Sequence, residues 1–144
     1  MERNQKLKEL IERSDEYLHA NEELIQLFRT SLVCLANKTI KRHMNNVTTF
    51  INAYCAERQC VTYVQGIDCI DDFLGYYAIH TYTCCSADSL KQMATSIKKF
   101  YKCMLENGKI SEADFERLHC IIKENLAIWA EKCEEYNDCK YDYC

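Results

Sequence analysis

Basic and polar side chains recur at helical spacing in two segments, residues 38–55 and 87–105. Positions three and four apart share one face of an α-helix, so each set forms a single polar surface. Lysine and arginine bind phosphate oxygens, while amides and hydroxyls can hydrogen-bond to base edges or to the DNA backbone. The spacing therefore predicts two surfaces suited to duplex DNA. They consist of Lys38, Lys41, Arg42, Asn45, Thr49 and Asn52 in the first segment, and Lys91, Gln92, Thr95, Lys98, Lys99 and Lys102 in the second.

The opposite side of each segment is apolar with the same period. Such a stripe faces a core when the helix is amphipathic, and it therefore fixes the basic residues toward solvent. We expect two amphipathic helices whose apolar sides are buried. The stripes are Ile40, Met44, Val47, Ile51 and Tyr54 in the first segment, and Leu90, Met93, Ala94, Ile97, Phe100, Tyr101 and Met104 in the second.

The distribution of charge along the chain is uneven. The formal net charge is −4, which excludes a uniformly basic DNA binder. Residues 37–58 and 86–110 nevertheless each carry a net charge of +3, and the excess of acids lies in residues 1–31 and 111–144. Phosphate binding follows the local potential, so this polarity is compatible with DNA contact. The alternative is that these lysines are ordinary solvent-facing residues of surface helices.

Backbone-breaking residues are scarce, since the 144 residues include no proline and three glycines. This composition favours long helices with short connections and predicts an all-α fold, a compact bundle of about five to six helices. Asn21, Asn37 or Thr39, and Ser86 are predicted helix starts, and Gly108 with a capping box of Ser111 and Asp114 marks the last turn. The predicted helices span 4–19, 21–35, 38–57, 67–81, 87–106 and 111–135, with an irregular tail after Tyr136.

Two stretches of sequence resemble a known family. The run Asn37–His43, continuing to Phe50 and Ile51, is similar to the opening of the core-binding domain of phage-integrase-type tyrosine recombinases. Residues 86–90, 96–101 and 107–110 are similar to a later helix of that domain and to its turn. The resemblance covers about residues 21–110 and implies a SAM-like bundle that clamps DNA with two helices. By position, these correspond to the two basic segments.

The resemblance also frames the expected domain organisation. We predict a single helical domain over 1–144, comprising an integrase-like core at about 21–110, an extra C-terminal helix at about 111–135 and a tail at 136–144. The last helix could close the bundle or mediate dimerisation. Packing is favoured because it carries Trp129, the single tryptophan of the chain, and large aromatic residues usually lie in cores.

The chain departs from the family after the shared turn. Recombinases continue with Asn-Pro and a linker to a catalytic domain, whereas this chain has Ser111 and another helix. No Arg-His-Arg set accompanies the ten tyrosines, so none is assigned as a nucleophile. A phosphate-binding glycine loop, a nucleophile elbow and a His-Glu metal motif are also missing from the sequence. We therefore expect no enzyme activity, no catalytic residues and no cofactor.

Cysteine is unusually frequent, with eleven residues in the chain. No Cys-x-x-Cys pair occurs, so the usual spacing of a structural zinc site is missing and no metal is expected. Cys133, Cys139 and Cys144, and the pair His119-Cys120, could meet only through folding. We expect most of the cysteines to fill a core in a reducing cytoplasmic compartment, with Cys103 on an outer face as the exception. No apolar run is long enough to span a bilayer, so no membrane partner is expected.

Two functions follow from these observations. The first is a non-catalytic, integrase-like DNA-binding protein whose partner is double-stranded DNA, with a recombinase or a second copy, bound through the C-terminal helix, as a further partner. The second is a helical protein-protein adaptor whose ancestral DNA face is now ordinary surface. DNA binding predicts steep salt dependence, whereas an adaptor predicts an exposed apolar patch and salt-insensitive association.

Overall fold

The computed structural model describes residues 2–82 and 85–142, with side chains up to Cys139. Within these ranges the chain is all-α, in agreement with the sequence prediction, and has no β-strand. The chain divides into two compact units, Met1–Gly66 and Ile67–Cys144, which are described separately below. The prediction of a single domain stays a prediction.

The first unit consists of three helical segments. They are α1 (Glu2–Ser31), α2 (Asn37–Thr48) and a π-helix, π1 (Thr49–Gln59), that continues α2 directly. On each element the buried side chains lie one or two turns apart, so they share one face. The end of α1 and the apolar faces of α2 and π1 form the core of this unit. The core residues are Leu24, Phe28, Leu32, Met44, Val47, Phe50, Ile51, Tyr54, Cys55 and Ala56.

Helix α1 is one continuous helix, so the predicted break between residues 19 and 21 is wrong. Asn21 is not a cap; it is buried inside α1 and its Nδ2 donates to the Ile51 carbonyl oxygen at 3.1 Å and to Asn52 Oδ1 at 2.9 Å. A buried amide requires partners of this kind. Tertiary bonding to π1 therefore explains an asparagine that, from sequence alone, favoured a helix start.

The end of π1 is a tight reversal. Cys60 has a left-handed backbone with φ of 54°, and the Val61 N–H donates to the Cys55 carbonyl oxygen at 2.9 Å. A Cβ atom on Gly66 would lie 2.5 Å from Cys55 Sγ, so the returning chain approaches the helix too closely for any larger residue. The first unit closes at this glycine.

The second unit begins within a 3₁₀ turn, Gln65–Cys69, followed by four α-helices and a short π-helix. These are α3 (Ile70–Asp72), π2 (Phe73–Tyr77), α4 (Ala78–Thr81), α5 (Ala87–Glu106) and α6 (Glu112–Asp142). Trp129 of α6 is fully buried and its Nε1 donates to Asp71 Oδ1 at 2.7 Å, which supports the predicted packing role of this helix. Other core residues are Ile67, Ile70, Phe73, Leu74, Ala78, Ile79, Leu90, Ile97, Phe100, Tyr101, Met104, Leu118 and Cys133.

The turn between α5 and α6 follows the sequence prediction. Gly108 has φ of +70°, and Ser111 and Asp114 form a reciprocal capping box, with N–O distances of 3.1 and 3.3 Å. The Ser111 backbone N–H, followed by its hydroxyl and by Arg117, lowers the pKa of the Asp114 carboxyl. Helix α6 continues to Asp142, so the prediction of an irregular tail after Tyr136 is wrong up to that residue, and residues 143–144 lie outside the described part.

The described helices include none with the length and apolarity that crossing a membrane requires.

Candidate nucleic-acid interface

Helix α5 is held by a buried face and a capped start. Leu90, Ala94, Ile97, Phe100 and Met104 are each at most 2% exposed, as the sequence period predicts. Ser86 accepts from the Ser89 N–H at 3.1 Å, and the Ser89 hydroxyl accepts from the Ser86 N–H at 2.8 Å. This reciprocal cap satisfies two of the amides left open at a helix start. The helix is therefore fixed in rotation, and its other face points to solvent.

The solvent face of α5 carries the predicted basic residues. Lys91, Lys99 and Lys102 are exposed and Lys98 is half-buried, while Thr95 and Gln92 are exposed between them. The Thr95 hydroxyl donates a hydrogen bond to the Lys91 carbonyl oxygen at 2.9 Å. None of the four lysines has an ion-pair partner among the residues that the structure describes.

The charge of this face is uninterrupted along the middle of α5. The acids of the helix, Asp88 and Glu106, lie in its first and last turns. From Lys91 to Lys102 the face spans about 16 Å along the helix axis. A duplex of that length carries on the order of ten phosphate charges, so the four lysines form a patch of matching size.

Helix α2 presents a second basic face, in the first unit. Lys38, Lys41, Arg42 and Asn45 are exposed, opposite the buried Met44 and Val47 of the predicted stripe. The three cations have no ion-pair partner in the described part of the chain. This helix starts differently from the prediction, since Ala36 occupies the N-cap position, its side chain makes no cap, and Asn37 is the first helical residue.

The C-terminal half of this basic segment differs from the prediction. Thr49 is half-buried at the first residue of π1, and Asn52 is half-buried and accepts from Asn21. The Asn52 side chain is therefore hydrogen-bonded within the first unit, and its predicted position on an open face is wrong. His43 is buried on the inner side of α2.

The acidic residues Asp68 and Asp71 lie at the start of the second unit and are used by the fold. Asp68 Oδ1 accepts from Arg117 Nε at 2.9 Å, and Asp71 binds Trp129 as described above. Arg117 Nη1 also donates to Asp114 at 3.2 Å. Both carboxylates therefore have side-chain partners on α6.

The cysteines have several environments. Cys103 is buried on α5 and Asn107 Nδ2 donates to its carbonyl oxygen at 2.8 Å, so the predicted outer-face position is wrong. Burial, followed by the neighbouring Cys85, raises the pKa of the Cys133 thiol to about 11, which keeps it protonated. His119 is half-buried and Cys120 is exposed. Cys84 and Cys144 lie outside the described residues. Across the described residues, no three His, Cys, Asp or Glu side chains are grouped to hold a metal.

Two surfaces were missed by the sequence interpretation. One, the apolar patch, consists of Leu7, Leu10 and Ile11 on α1, which are 58, 47 and 54% exposed. With Ser14, Asp15 and residues 57–60 they line a groove of about 440 Å³. The i, i+3, i+4 spacing of the three apolar residues was a signal, but the sequence does not say that they remain uncovered.

The other surface, the aromatic cavity, lies in the second unit and has a volume of about 350 Å³. There the His80 ring contacts the rings of Tyr76 and Tyr136. The four-residue spacing of Tyr76 and His80 predicts that they share a helix face, whereas the approach of Tyr136 on α6 depends on tertiary structure.

No protein-family model, curated protein or solved structure matches this chain. The structure alone shows the all-α fold class. The SAM-like, integrase-related assignment rests on the sequence resemblance, and this assignment stays a prediction.

Proposed function

We propose that this chain is a non-catalytic DNA-binding protein related to the core-binding domain of tyrosine recombinases. The observation that carries the proposal is the lysine face of α5. Four lysines, without an ion-pair partner among the described residues, lie on one side of a helix whose rotation is fixed by a buried stripe and a capping box. Such a patch releases counterions from DNA when it binds phosphates, which supplies affinity without base contacts.

The basic face of α2 extends the proposal to a second helix. Lys38, Lys41 and Arg42 offer further phosphate contacts, and Asn45 is exposed beside them for a base edge or another phosphate. In this account duplex DNA is contacted by both helices. A recombinase acting on the same DNA would then be a natural partner.

Charge reversal on α5 tests the proposal. Lys98→Glu with Lys102→Glu places two acids in the middle of the lysine face, while Lys123→Glu with Lys132→Glu makes the same charge change on exposed positions of α6. Anisotropy with a fluorescent mixed-sequence duplex, under reducing conditions, should show strong loss of binding for the first pair and little for the second. Equal losses would mean that total charge, rather than this face, governs binding.

A second candidate, a protein-protein adaptor, is favoured by the apolar patch on α1. Its residues repeat at the three- and four-residue spacing used in helix pairing, and exposed apolar patches commonly mark interaction sites. We take the same patch of a second copy as its occupant. Sedimentation should then show dimers that persist at high salt and are lost in Leu7→Glu with Ile11→Glu; a monomer at all concentrations would remove this candidate.

A further inference from the structure

The aromatic cavity is lined by two helical regions of the second unit. One wall comes from π2 and α4, and the other from the C-terminal half of α6. Its volume of about 350 Å³ is at the lower end of the range for small-ligand sites. The lining residues are Gly75, Tyr76, Ile79, His80, Lys132, Glu135, Tyr136 and Cys139.

The His80 ring contacts both tyrosine rings of this cavity, stacked on Tyr76 and tilted by 54° against Tyr136. Tyr76 and His80 lie 4.1 Å apart between centroids, and His80 and Tyr136 lie 4.5 Å apart. His80 Nδ1 is 2.8 Å from the Tyr76 carbonyl oxygen, which can only accept, so this nitrogen carries a proton and the ring is held in place. Tyr76 is 59% exposed, leaving much of its ring available to a ligand.

The stretch of α6 beside the cavity is acidic. Residues 131–139 contain four acids and one lysine, and of these charged residues Glu135 and Lys132 lie in the lining itself. Glu135 has no ion-pair partner among the described side chains. The faces of tyrosine rings also carry negative potential, and they attract cations placed over them.

We propose that the aromatic cavity binds an arginine side chain of a partner protein. A guanidinium group is planar, so it stacks on a ring such as Tyr76 while donating hydrogen bonds to Glu135. Ile79 in the cavity lining provides apolar contact for the aliphatic stem. The partner is therefore a protein segment with an exposed arginine, and this site does not depend on DNA binding.

The test uses the full chain and two short peptides that differ in one group. Acetyl-Gly-Arg-Gly-amide carries the guanidinium, and the citrulline peptide has nearly the same shape without the charge. Titrations followed by ¹H–¹⁵N NMR should shift the amides of residues 75–80 and 132–139 with the arginine peptide, with about tenfold weaker binding for citrulline. Absence of shifts with arginine, or equal binding of both peptides, would overturn the proposal.

Substitutions identify the groups responsible. Tyr76→Ala and Glu135→Gln should each weaken arginine binding by about tenfold, since each removes one attraction for the cation. Tyr76→Phe keeps the ring and should bind like the unaltered chain, which separates loss of the ring from loss of folding. Glu124→Gln, an exposed carboxylate elsewhere on α6, is the matched control and should have no effect. Undiminished binding by Tyr76→Ala would contradict the site.

Discussion

Helices α2 and α5 have similar basic sequences but present them differently. In α5 the lysines follow one regular α-helix from a capped start to its last turn, opposite an uninterrupted buried stripe. In the first unit, α2 passes into π1 at Thr49, and the Asn52 side chain accepts a hydrogen bond from Asn21. A net charge of +3 in each segment therefore overstates their equivalence. The number of side chains left open to solvent distinguishes the two faces.

The largest expected effect is the loss of DNA binding when the α5 face is neutralised. Replacing Lys91, Lys98, Lys99 and Lys102 with alanine removes four phosphate ligands and should lower the magnitude of the slope of log K against log salt by about 3 to 4. The measurement is a salt titration by anisotropy. An unchanged slope would show that these lysines face solvent only.

Neutralising the α2 face should have a smaller effect. Lys38→Ala, Lys41→Ala and Arg42→Ala together should lower the slope magnitude by about 2 to 3 in the same titration. Binding that depends on α2 alone, with α5 silent, would reverse the order of the two faces and contradict the comparison drawn above.

Asn21→Ala tests the structural use of Asn52. The change leaves the Ile51 carbonyl oxygen without the Asn21 donor, and we expect a loss of about 1 to 3 kcal/mol in the free energy of unfolding. Urea denaturation measures it, with exposed Gln92→Ala on α5 as the matched polar-to-alanine control. Since Asn21 lies off both basic faces, DNA affinity of the folded variant should be retained. If Gln92→Ala is as destabilising, the two positions do not differ as proposed.

Removal of the α5 cap should have a more modest effect. Ser86→Ala loses the bond to the Ser89 N–H and should cost about 1 kcal/mol of stability. Thermal or urea unfolding measures the change, and Ser86→Asn or Ser86→Asp should restore most of it because both can cap. Failure of either residue to restore stability would argue against the capping geometry.

The smallest expected effect is a pH dependence at Asp114. Its pKa is lower in the folded chain, so its stabilising contribution is present above the unfolded value of 3.8 and is lost as the pH falls through the folded value. Asp114→Asn should therefore be less stable than the unaltered chain at neutral pH, with the difference shrinking below pH 3.8. Thermal melts of both chains at neutral pH and below pH 3.8 test this. A stability difference that stays the same at both pH values would exclude the carboxylate charge as its source.

The sequence predicts the bounds and the buried stripe of α5 because those signals are local. The apolar period, Ser86, Gly108 and the Ser111–Asp114 box all act within one or two helical turns, and each has the predicted role. Helix α1 and π1 are different. Asn21 favours a helix start locally, yet its partners lie some thirty residues away, so its burial in a continuous helix depends on tertiary contacts.

The candidate sites show the same limit. Periodicity predicts which face of α2 or α5 carries cations, because that depends on one helix at a time. The pairing of Tyr136 with His80 joins distant parts of the chain, and the burial of Cys103 depends on what packs against its side of α5. Neither is encoded in local spacing.

The most direct test of DNA binding is the affinity of the unaltered, reduced chain for a mixed-sequence duplex from low to physiological salt. The account predicts measurable binding at low salt that falls linearly in log K against log salt, with a slope reporting several phosphate contacts. Absence of binding even at the lowest salt would contradict it and leave the adaptor as the remaining candidate.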